Sequence, residues 1–267
     1  MIAAVVQMTS GDNVARNLER ASEWIARAVQ AGAKLVALPE NFAHMAESDA
    51  GPSPVAQGLD GPIPKFLRDQ AKRHGILLAG GTFPEGGPGE AHHFNAALLL
   101  DGDGEVLAHY RKIHLFDVDL PDASFQESRT VSAGEQLVVA DTHLGRVGLS
   151  VCYDVRFPEL YRALTQRGAR ILLVPAAFTV PTGRDHWEVL LRARAIENQA
   201  FVLAPAQYGV HNATRRSFGR SMIVDPWGVV LATVPDGEGI GLAELDFAAQ
   251  ERIRSELPTL QHRRLGN

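Results

Sequence analysis

A lone cysteine ends an apolar run and opens a helical segment in Arg146-Val147-Gly148-Leu149-Ser150-Val151-Cys152-Tyr153-Asp154-Val155-Arg156-Phe157-Pro158-Glu159. Valine and leucine alternate with glycine and serine up to position 151, which predicts a β-strand over 146–151. The residues that follow break this pattern and lead into a helix predicted over 158–167. Cys152 is therefore expected at a sharp turn between strand and helix, where a side chain stands at the edge of a sheet.

Short apolar runs and amphipathic segments alternate on both sides of this region. Further strands are predicted over residues 2–7, 35–38, 76–79, 96–100, 106–109, 171–174, 201–204, 222–224 and 229–232. Helices are predicted after the capping pair Asp12-Asn13 and over residues 63–74, 186–198 and 247–257. This mixture predicts an α/β protein, and the hairpin turn Asp101-Gly102-Asp103-Gly104 predicts mixed rather than purely parallel sheets. No linker long enough to separate domains interrupts the sequence, so residues 1–267 are predicted to form a single domain.

Composition and charge exclude several classes of function. The formal net charge is -5, so neither nucleic acid nor an anionic membrane is expected as a partner. With one cysteine, an intramolecular disulfide and a cysteine-based zinc site are both excluded. The first seven residues do not resemble a signal peptide, and no run approaches the roughly 18 apolar residues of a membrane span. We therefore expect a soluble, cytoplasmic protein.

Cys152 has two interpretations. Most lone cysteines are inert and buried, whereas a thiol at a strand-to-helix turn can be a nucleophile, with the next backbone N–H available to an oxyanion. A nucleophilic thiol needs a base. None of the ten histidines lies in a motif typical of a cysteine protease or of a His-Glu-x-x-His zinc site. A carboxylate could act instead, provided that burial raised its pKa.

Two charged residues follow other predicted strands. Glu40 comes after the apolar run 35–38 and Pro39, and Lys112 comes shortly after the strand 106–109. Active sites of α/β proteins are built at the carboxyl ends of buried strands, although either residue alone could simply begin a surface loop. Together with Cys152 they could generate a nucleophile, accept its proton and hold the negative charge of a tetrahedral intermediate.

The segments around these residues resemble the Glu, Lys and Cys motifs of the nitrilase superfamily. They are Leu38-Pro39-Glu40-Asn41, Tyr110-Arg111-Lys112-Ile113-His114-Leu115 and Val151-Cys152-Tyr153-Asp154-Val155-Arg156-Phe157-Pro158-Glu159. Their order and long spacings match as well. The resemblance continues through residues 186–195 and Asp225-Pro226-Trp227-Gly228 to Leu257-Pro258, and so covers essentially the whole chain.

This resemblance implies a four-layer α-β-β-α sandwich with two mixed sheets, usually paired into dimers across helices beside the active site. It also implies roles: Cys152 as nucleophile, Glu40 as general base, and Lys112 with the Tyr153 backbone N–H as oxyanion stabilisers. The second active-site glutamate of the family corresponds to Glu127, which would position Lys112 and the amino group of the substrate. The family uses no metal or organic cofactor, so none is expected, and the implied partners are a small-molecule substrate and a second copy of the chain.

The residues around the cysteine also indicate a branch. Nitrilases proper usually show Cys-Trp-Glu, so Cys152-Tyr153-Asp154 favours amides over nitriles, and carbamoyl-amine hydrolases tend to have an aromatic residue in place of Arg156. The pattern instead resembles the Nit amidases. Arg156 could grip a substrate carboxylate bidentately, or it could form a salt bridge with Asp154 or Glu159. Two further residues match substrate-contacting positions of this branch, Phe178 and Thr182.

The two Nit activities are ω-amidase and deaminated-glutathione amidase. Residues 125–128 look more like the first, whereas the longer segments 204–209, 217–222 and 261–264 look more like the second, which we favour. The expected reaction is hydrolysis of a carboxylate-bearing linear amide through a cysteine thioester, with release of ammonia or an amine. An N-carbamoyl amine hydrolase, a nitrilase and a non-catalytic scaffold remain as alternatives. A substituted catalytic position would have favoured the scaffold, but all four are present: Glu40, Lys112, Glu127 and Cys152.

Overall fold

The strands and helices follow the apolar patterning of the sequence in a computed structural model that describes residues 1–46, 51, 53–87, 90–120 and 123–265. In chain order the strands are β1 (Ile2–Gln7), β2 (Leu35–Ala37), β3 (Leu77–Glu85), β4 (His93–Leu100), β5 (Val106–Arg111), β6 (Asp117–Leu120), β7 (Ala123–Gln126), β8 (Val131–Ser132), β9 (Val139–Thr142), β10 (Gly145–Leu149), β11 (Ile171–Leu173), β12 (Phe201–Ala204), β13 (Tyr208–Val210), β14 (Arg216–Phe218), β15 (Met222–Val224), β16 (Val230–Thr233) and β17 (Gly239–Glu244). The α-helices are α1 (Val14–Gln30), α2 (Pro62–His74), α3 (Pro158–Gln166), α4 (Val180–Asn198) and α5 (Phe247–Glu256). Short 3-10 helices cover Glu127–Arg129 and Cys152–Arg156.

Two mixed sheets form the centre of the fold. The first has the order β17-β1-β2-β3-β4-β5, with β8 beside β4, and the second has the order β16-β15-β12-β11-β10-β9. In the first sheet β1, β2 and β3 are parallel, and in the second β10, β11 and β12 are parallel, while antiparallel strands flank both groups. The same sequence of pairings therefore occurs twice, and the predicted mixed character of the sheets is confirmed.

Helices cover the outer face of each sheet. Helices α1 and α2 pack on the first sheet and helices α3 and α4 on the second, while strands such as β1 and β12 meet between the sheets. Alternation along β1 makes this possible, because Ala4 and Val6 pack towards α1 whereas Ala3 and Val5 join the core shared with the second sheet. The layers are thus α-β-β-α, as predicted. In the described part of the chain, no helix is long and apolar enough to cross a bilayer.

Some elements are longer than the sequence predicted or were not predicted. Helix α4 begins at Val180 rather than at residue 186, and its extra turn contains Pro181 and Gly183. Both residues disfavour a helix interior, but proline is tolerated in a first turn because its missing N–H would be unpaired there in any case. Strand β3 likewise runs on from residue 79 to Glu85. This extension matters because Glu85 is the centre of an ionic cluster beside the candidate site.

Glu85 links β3 to β5 across the intervening strand. The Arg111 Nε and Nη2 atoms each donate to one Glu85 carboxylate oxygen at 2.8 Å, and the His109 Nε2 atom lies 2.9 Å from Oε2. Burial alone would raise the pKa of Glu85, but the hydrogen bonds and charges of Arg111 and His109 outweigh it and lower the pKa from 4.5 to about 2. The cluster fixes the end of β5 one residue before Lys112.

We expect Glu85→Gln to lower the free energy of unfolding by roughly 2 kcal/mol at pH 7, because the folded state favours the ionised carboxylate and solvent screens part of that gain. A lowered folded-state pKa stabilises the fold above the unfolded value of 4.5, and this contribution is lost as the pH falls towards 2. Urea denaturation of wild type and variant between pH 7 and 2.5 should therefore show the difference shrinking below pH 4.5. A difference that is constant over this range would contradict the assignment.

Candidate active site

Three strand ends bring a carboxylate, an ammonium and a thiol together. Glu40 follows β2, Lys112 follows β5 and Cys152 follows β10, so the two sheets both contribute. All three side chains line one cavity although they are 3, 2 and 7% exposed, respectively. The distance from the Lys112 Nζ atom to the Glu40 Oε1 atom is 3.1 Å. The structure thus brings the three predicted residues into contact range of a single substrate.

The backbone at Cys152 is held in an unfavourable conformation. Its φ angle is 49°, in the left-handed region that costs a residue with a side chain about 1–2 kcal/mol. The Cys152 N–H donates to the Pro175 carbonyl oxygen at 2.9 Å, and the Val151 N–H donates to the Asp154 carboxylate at 2.8 Å. These bonds fix the sharp turn that the sequence predicted, and they point the thiol into the cavity.

Asp154 connects the turn at Cys152 with the loop that carries Lys112. Besides the Val151 N–H, its carboxylate accepts from the Tyr110 hydroxyl at 2.7 Å and from the His114 N–H at 3.0 Å, and its Oδ1 atom lies 2.7 Å from the His114 ring Nδ1. Burial and the negative charge of Asp154 raise the pKa of Tyr110 well above its usual range, so its hydroxyl remains a donor. Asp154 is therefore occupied by these groups, and a salt bridge between it and Arg156 is not formed.

The carboxylate of Glu40 is oriented on every side. Its Oε2 atom accepts from the Ala177 backbone N–H at 2.8 Å, and its Oε1 atom accepts from Asn95 Nδ2 at 2.9 Å as well as from Lys112. Glu40 also lies close enough to the Cys152 thiol for its negative charge to raise the pKa of that thiol. Asn95 was not recognised from the sequence. The available signal was a polar residue at the start of the apolar run 96–100.

The Glu40 turn also depends on a glycine in the neighbouring strand. Asn41 has a φ of 54°, and its N–H donates to the Thr82 hydroxyl at 2.8 Å. At Gly81 the backbone passes so close to this turn that a Cβ atom would lie 2.2 Å from the Pro39 carbonyl oxygen. Gly81 itself has a φ of 61°, so both space and conformation exclude a side chain there.

Burial and charge determine the protonation of the thiol and the ammonium. Burial, followed by the negative charge of Glu40, raises the pKa of Cys152 well above its usual range, so the resting group is a thiol that needs a base. Burial lowers the pKa of Lys112, but the charges of Glu127, Glu40 and the Cys152 thiolate outweigh it and raise the pKa overall. Lys112 therefore stays an ammonium. The arrangement can transfer a proton from sulfur to Glu40 and hold a developing negative charge beside Lys112.

Glu127 is in direct contact with Lys112. The Lys112 Nζ atom donates to both of its carboxylate oxygens, at 3.0 and 2.8 Å, and the Phe116 N–H donates to Oε2 at 2.7 Å. Asn95 Nδ2 lies 3.4 Å from the Glu127 Oε1 atom. The Lys112 ammonium therefore lies between the carboxylates of Glu40 and Glu127, and these two contacts fix the direction in which it can donate to a substrate.

The predicted substrate-contacting residues differ in position. Phe178 and Thr182 line the cavity, whose volume is about 1200 Å³ counted out to its open mouth. Arg156 is not among the lining residues: its guanidinium lies 5.1 Å from the centroid of the Phe178 ring and its Nη1 atom lies 3.2 Å from His186 Nδ1. It therefore stands behind the wall formed by Phe178. Two arginines that the sequence analysis did not single out line the cavity instead, Arg215 and Arg216.

In residues 1–46, 51, 53–87, 90–120 and 123–265, no group of three or more histidine, cysteine, aspartate or glutamate side chains is placed to hold a metal ion.

The sequence model of the carbon-nitrogen hydrolase family matches residues 2–255. The chain belongs to this family. Over 98% of its length this carbon-nitrogen hydrolase is 47% identical to the deaminated glutathione amidase of Synechocystis, covering 97% of that protein, and 42% identical to that of Yersinia enterocolitica, covering 92%. The crystal structure of the Caenorhabditis elegans NitFhit protein superimposes with a TM-score of 0.89 at 40% identity, over 98% of this chain and 65% of the longer NitFhit chain. This carbon-nitrogen hydrolase is accordingly an amidase of the nitrilase superfamily that cleaves non-peptide amide C–N bonds, and its α-β-β-α fold is that of the family.

Proposed function

We propose that the enzyme hydrolyses a carboxylate-bearing linear amide of the deaminated-glutathione type through a thioester at Cys152. The observation that carries this proposal is that Glu40, Lys112 and Cys152 are buried side by side in one cavity, with the Lys112 ammonium 3.1 Å from the Glu40 carboxylate. A thiol whose pKa is raised cannot attack unaided, and Glu40 is the base within reach. Relatives at 42–47% identity named deaminated glutathione amidase support the choice of substrate.

In the first half of the reaction Glu40 takes the thiol proton while sulfur attacks the amide carbonyl carbon. A C–S bond forms, and the carbonyl electrons move to oxygen. Lys112 and the Tyr153 backbone N–H stabilise this oxyanion, and Glu127 keeps Lys112 pointed at it. When the tetrahedral intermediate collapses, the C–N bond breaks and the amine leaves with the proton that Glu40 holds.

In the second half Glu40, again a carboxylate, takes a proton from water. The hydroxide attacks the thioester carbonyl, and the oxyanion is held by the same donors as before. Collapse breaks the C–S bond, releases the carboxylic acid and returns the proton from Glu40 to the sulfur. Glu40 is thus the base in both steps. Its hydrogen bonds with Asn95 and the Ala177 N–H hold the carboxylate in one position throughout.

Arg156 is proposed to attract the carboxylate of the acyl group, from its position behind Phe178. Because Arg156 is held by His186 and aromatic rings rather than by a carboxylate, a modest rotation could expose it to the cavity. We expect Arg156→Ala to raise KM at least tenfold for α-keto-acid amides and to change KM little for neutral amides. Steady-state assays on both substrate types check this, and an equal rise for both would remove the anchoring role.

The closest alternative is an ω-amidase that acts on α-ketoglutaramate. The observation in its favour is that Phe125, Gln126 and Glu127, from the segment that looks like ω-amidase, all line the cavity. A panel of deaminated glutathione, α-ketoglutaramate, an N-carbamoyl amine and a simple nitrile separates the possibilities. We expect the highest kcat/KM with deaminated glutathione. Preference for the nitrile or for a carbamoyl amine without a carboxylate would contradict the proposed substrate class.

We also propose that the enzyme is a homodimer paired across α4. This helix starts directly after the cavity-lining segment, and it exposes Val189 (66%) and Ile196 (49%) on one face, next to the exposed Trp227. Contiguous exposed apolar side chains of this kind mark interfaces.

We expect Val189→Asp to shift the sedimentation coefficient to that of a monomer, whereas Leu107→Asp on β5 should not. A stable dimer has a dissociation constant far below a protein concentration of about 50 µM. A wild-type protein that sediments as a monomer at that concentration would contradict the proposal.

A single catalytic domain over residues 1–267 and a cytoplasmic location complete the proposal. The family match over residues 2–255 supports one domain, and a lone buried thiol is suited to a reducing compartment.

A further inference from the structure

The loop between β13 and β14 contributes positive charge to the rim of the cavity. Arg215 and Arg216 close this hairpin, and both line the cavity that contains Cys152. The reaction proposed above uses neither of them. Because they line the cavity, they face some part of a bound substrate.

The loop is held in place by specific hydrogen bonds. The Asn212 Oδ1 atom accepts from the N–H groups of Thr214 and Arg215 at 2.9 and 2.7 Å, and its Nδ2 donates at 2.8 Å to the carbonyl of Ala46 in the opposite wall. The following strand is tied to the site as well, because the Phe218 N–H donates to the Phe178 carbonyl at 2.9 Å. These hydrogen bonds fix the backbone of the loop that carries the two arginines.

Arg216 places a positively charged guanidinium on the cavity wall. In the part of the chain that the structure describes, no carboxylate pairs with the Arg216 guanidinium. Carboxylate partners lie within 4 Å of many other arginines, namely Arg20, Arg111, Arg146, Arg170, Arg192, Arg194 and Arg220. The cavity carboxylates Glu40 and Glu127 are both paired with Lys112. A positive charge of this kind on a cavity wall attracts an anionic group of a ligand.

We propose that Arg216 binds a carboxylate at the far end of the leaving amine. This inference rests on the proposed function, in which the acyl group is attached to Cys152 at the buried end of the cavity and the amine therefore extends towards the rim. It deepens that function by assigning the residue that recognises the terminal carboxylate of an amino-acid or short-peptide leaving group. A carboxylate there accepts two parallel N–H bonds from one guanidinium.

The test compares deaminated glutathione with its C-terminal amide, which differs only in the charge at the end of the leaving group. For wild type we expect kcat/KM to be about tenfold higher for the acid than for the amide. Arg216→Ala should bring this ratio close to one. Arg73→Ala, which removes an exposed arginine from α2 on the far layer, should keep the wild-type ratio. A ratio that Arg216→Ala leaves unchanged would overturn the proposal.

A binding measurement separates this inference from the substrate assignment. Calorimetric titration with S-methylcysteinylglycine and with its C-terminal amide probes the leaving-group end alone, whatever acyl group the enzyme prefers. Tighter binding of the acid, lost in Arg216→Ala and retained in Arg73→Ala, supports the carboxylate subsite even if deaminated glutathione is not hydrolysed. Failure of wild type to hydrolyse deaminated glutathione contradicts the proposed function, whereas equal binding of acid and amide contradicts the subsite.

Discussion

Cys152→Ala should lower kcat for amide hydrolysis by at least about 10⁴-fold, because it removes the atom that forms the covalent intermediate. No other cysteine is present that could replace it. The alanine side chain fits the turn, so the fold should persist with an unfolding midpoint close to that of wild type. Release of amine or ammonia under saturating substrate measures the effect.

Cys152→Ser is the matched control for this substitution. It keeps the size and polarity of the side chain but supplies a poorer nucleophile, so its activity should also fall to near background. A Cys152→Ala protein that keeps more than about one hundredth of the wild-type kcat would show that the thiol does not attack the substrate.

Glu40→Gln should reduce kcat by about 10³-fold, because one base is lost from both the attack of sulfur and the attack of water. The substitution preserves size and keeps an oxygen for the Ala177 N–H, so substrate binding should change much less than turnover. It also removes the negative charge that helps to raise the pKa of Cys152. Cys152 of the variant should therefore still be alkylated by iodoacetamide, and substrate should still slow this modification, even though the variant hydrolyses amides far more slowly.

Alkylation that substrate still slows, together with lost turnover, distinguishes loss of a base from loss of structure, because an unfolded protein would have no cavity in which substrate could protect Cys152. Glu85→Gln is the matched control, since it neutralises another buried glutamate that lies outside the cavity lining. At a temperature where both variants are folded, it should keep kcat within about threefold of wild type. A Glu40→Gln enzyme within tenfold of wild type would contradict the role of Glu40 as base.

The sequence allowed the central strands to be predicted because they are buried on both faces and consist of continuous apolar runs, as in 35–38 and 171–174. Strand β17 was not predicted, since its glycines at 239 and 241 dilute the apolar pattern and its pairing with β1 joins the two ends of the chain. The hairpins β6-β7 and β13-β14 were not predicted either. They are short and partly polar, so that pairing rather than composition defines them.

In the candidate site, too, some residues could be predicted from the sequence and others could not. Glu40, Lys112 and Cys152 could be predicted because each is a chemically distinctive residue directly after a strand or within a recognisable motif. The groups that orient them could not, since Asn95 and Asp154 act through contacts with residues 32 to 55 positions away. The place of Arg216 on the cavity wall, without a carboxylate partner among the described residues, could not be predicted either, because it depends on the folded surroundings and not on the local sequence.

The thioester at Cys152 is tested most directly by alkylating the single cysteine and following hydrolysis in the same sample. Intact-mass spectrometry gives the fraction of molecules that carry one carbamidomethyl group, and amine release gives the remaining activity. We expect activity to fall in proportion to that fraction and to reach background when every molecule is modified, with substrate slowing the modification. A fully alkylated enzyme that releases amine at the rate of the untreated enzyme would contradict the thiol mechanism.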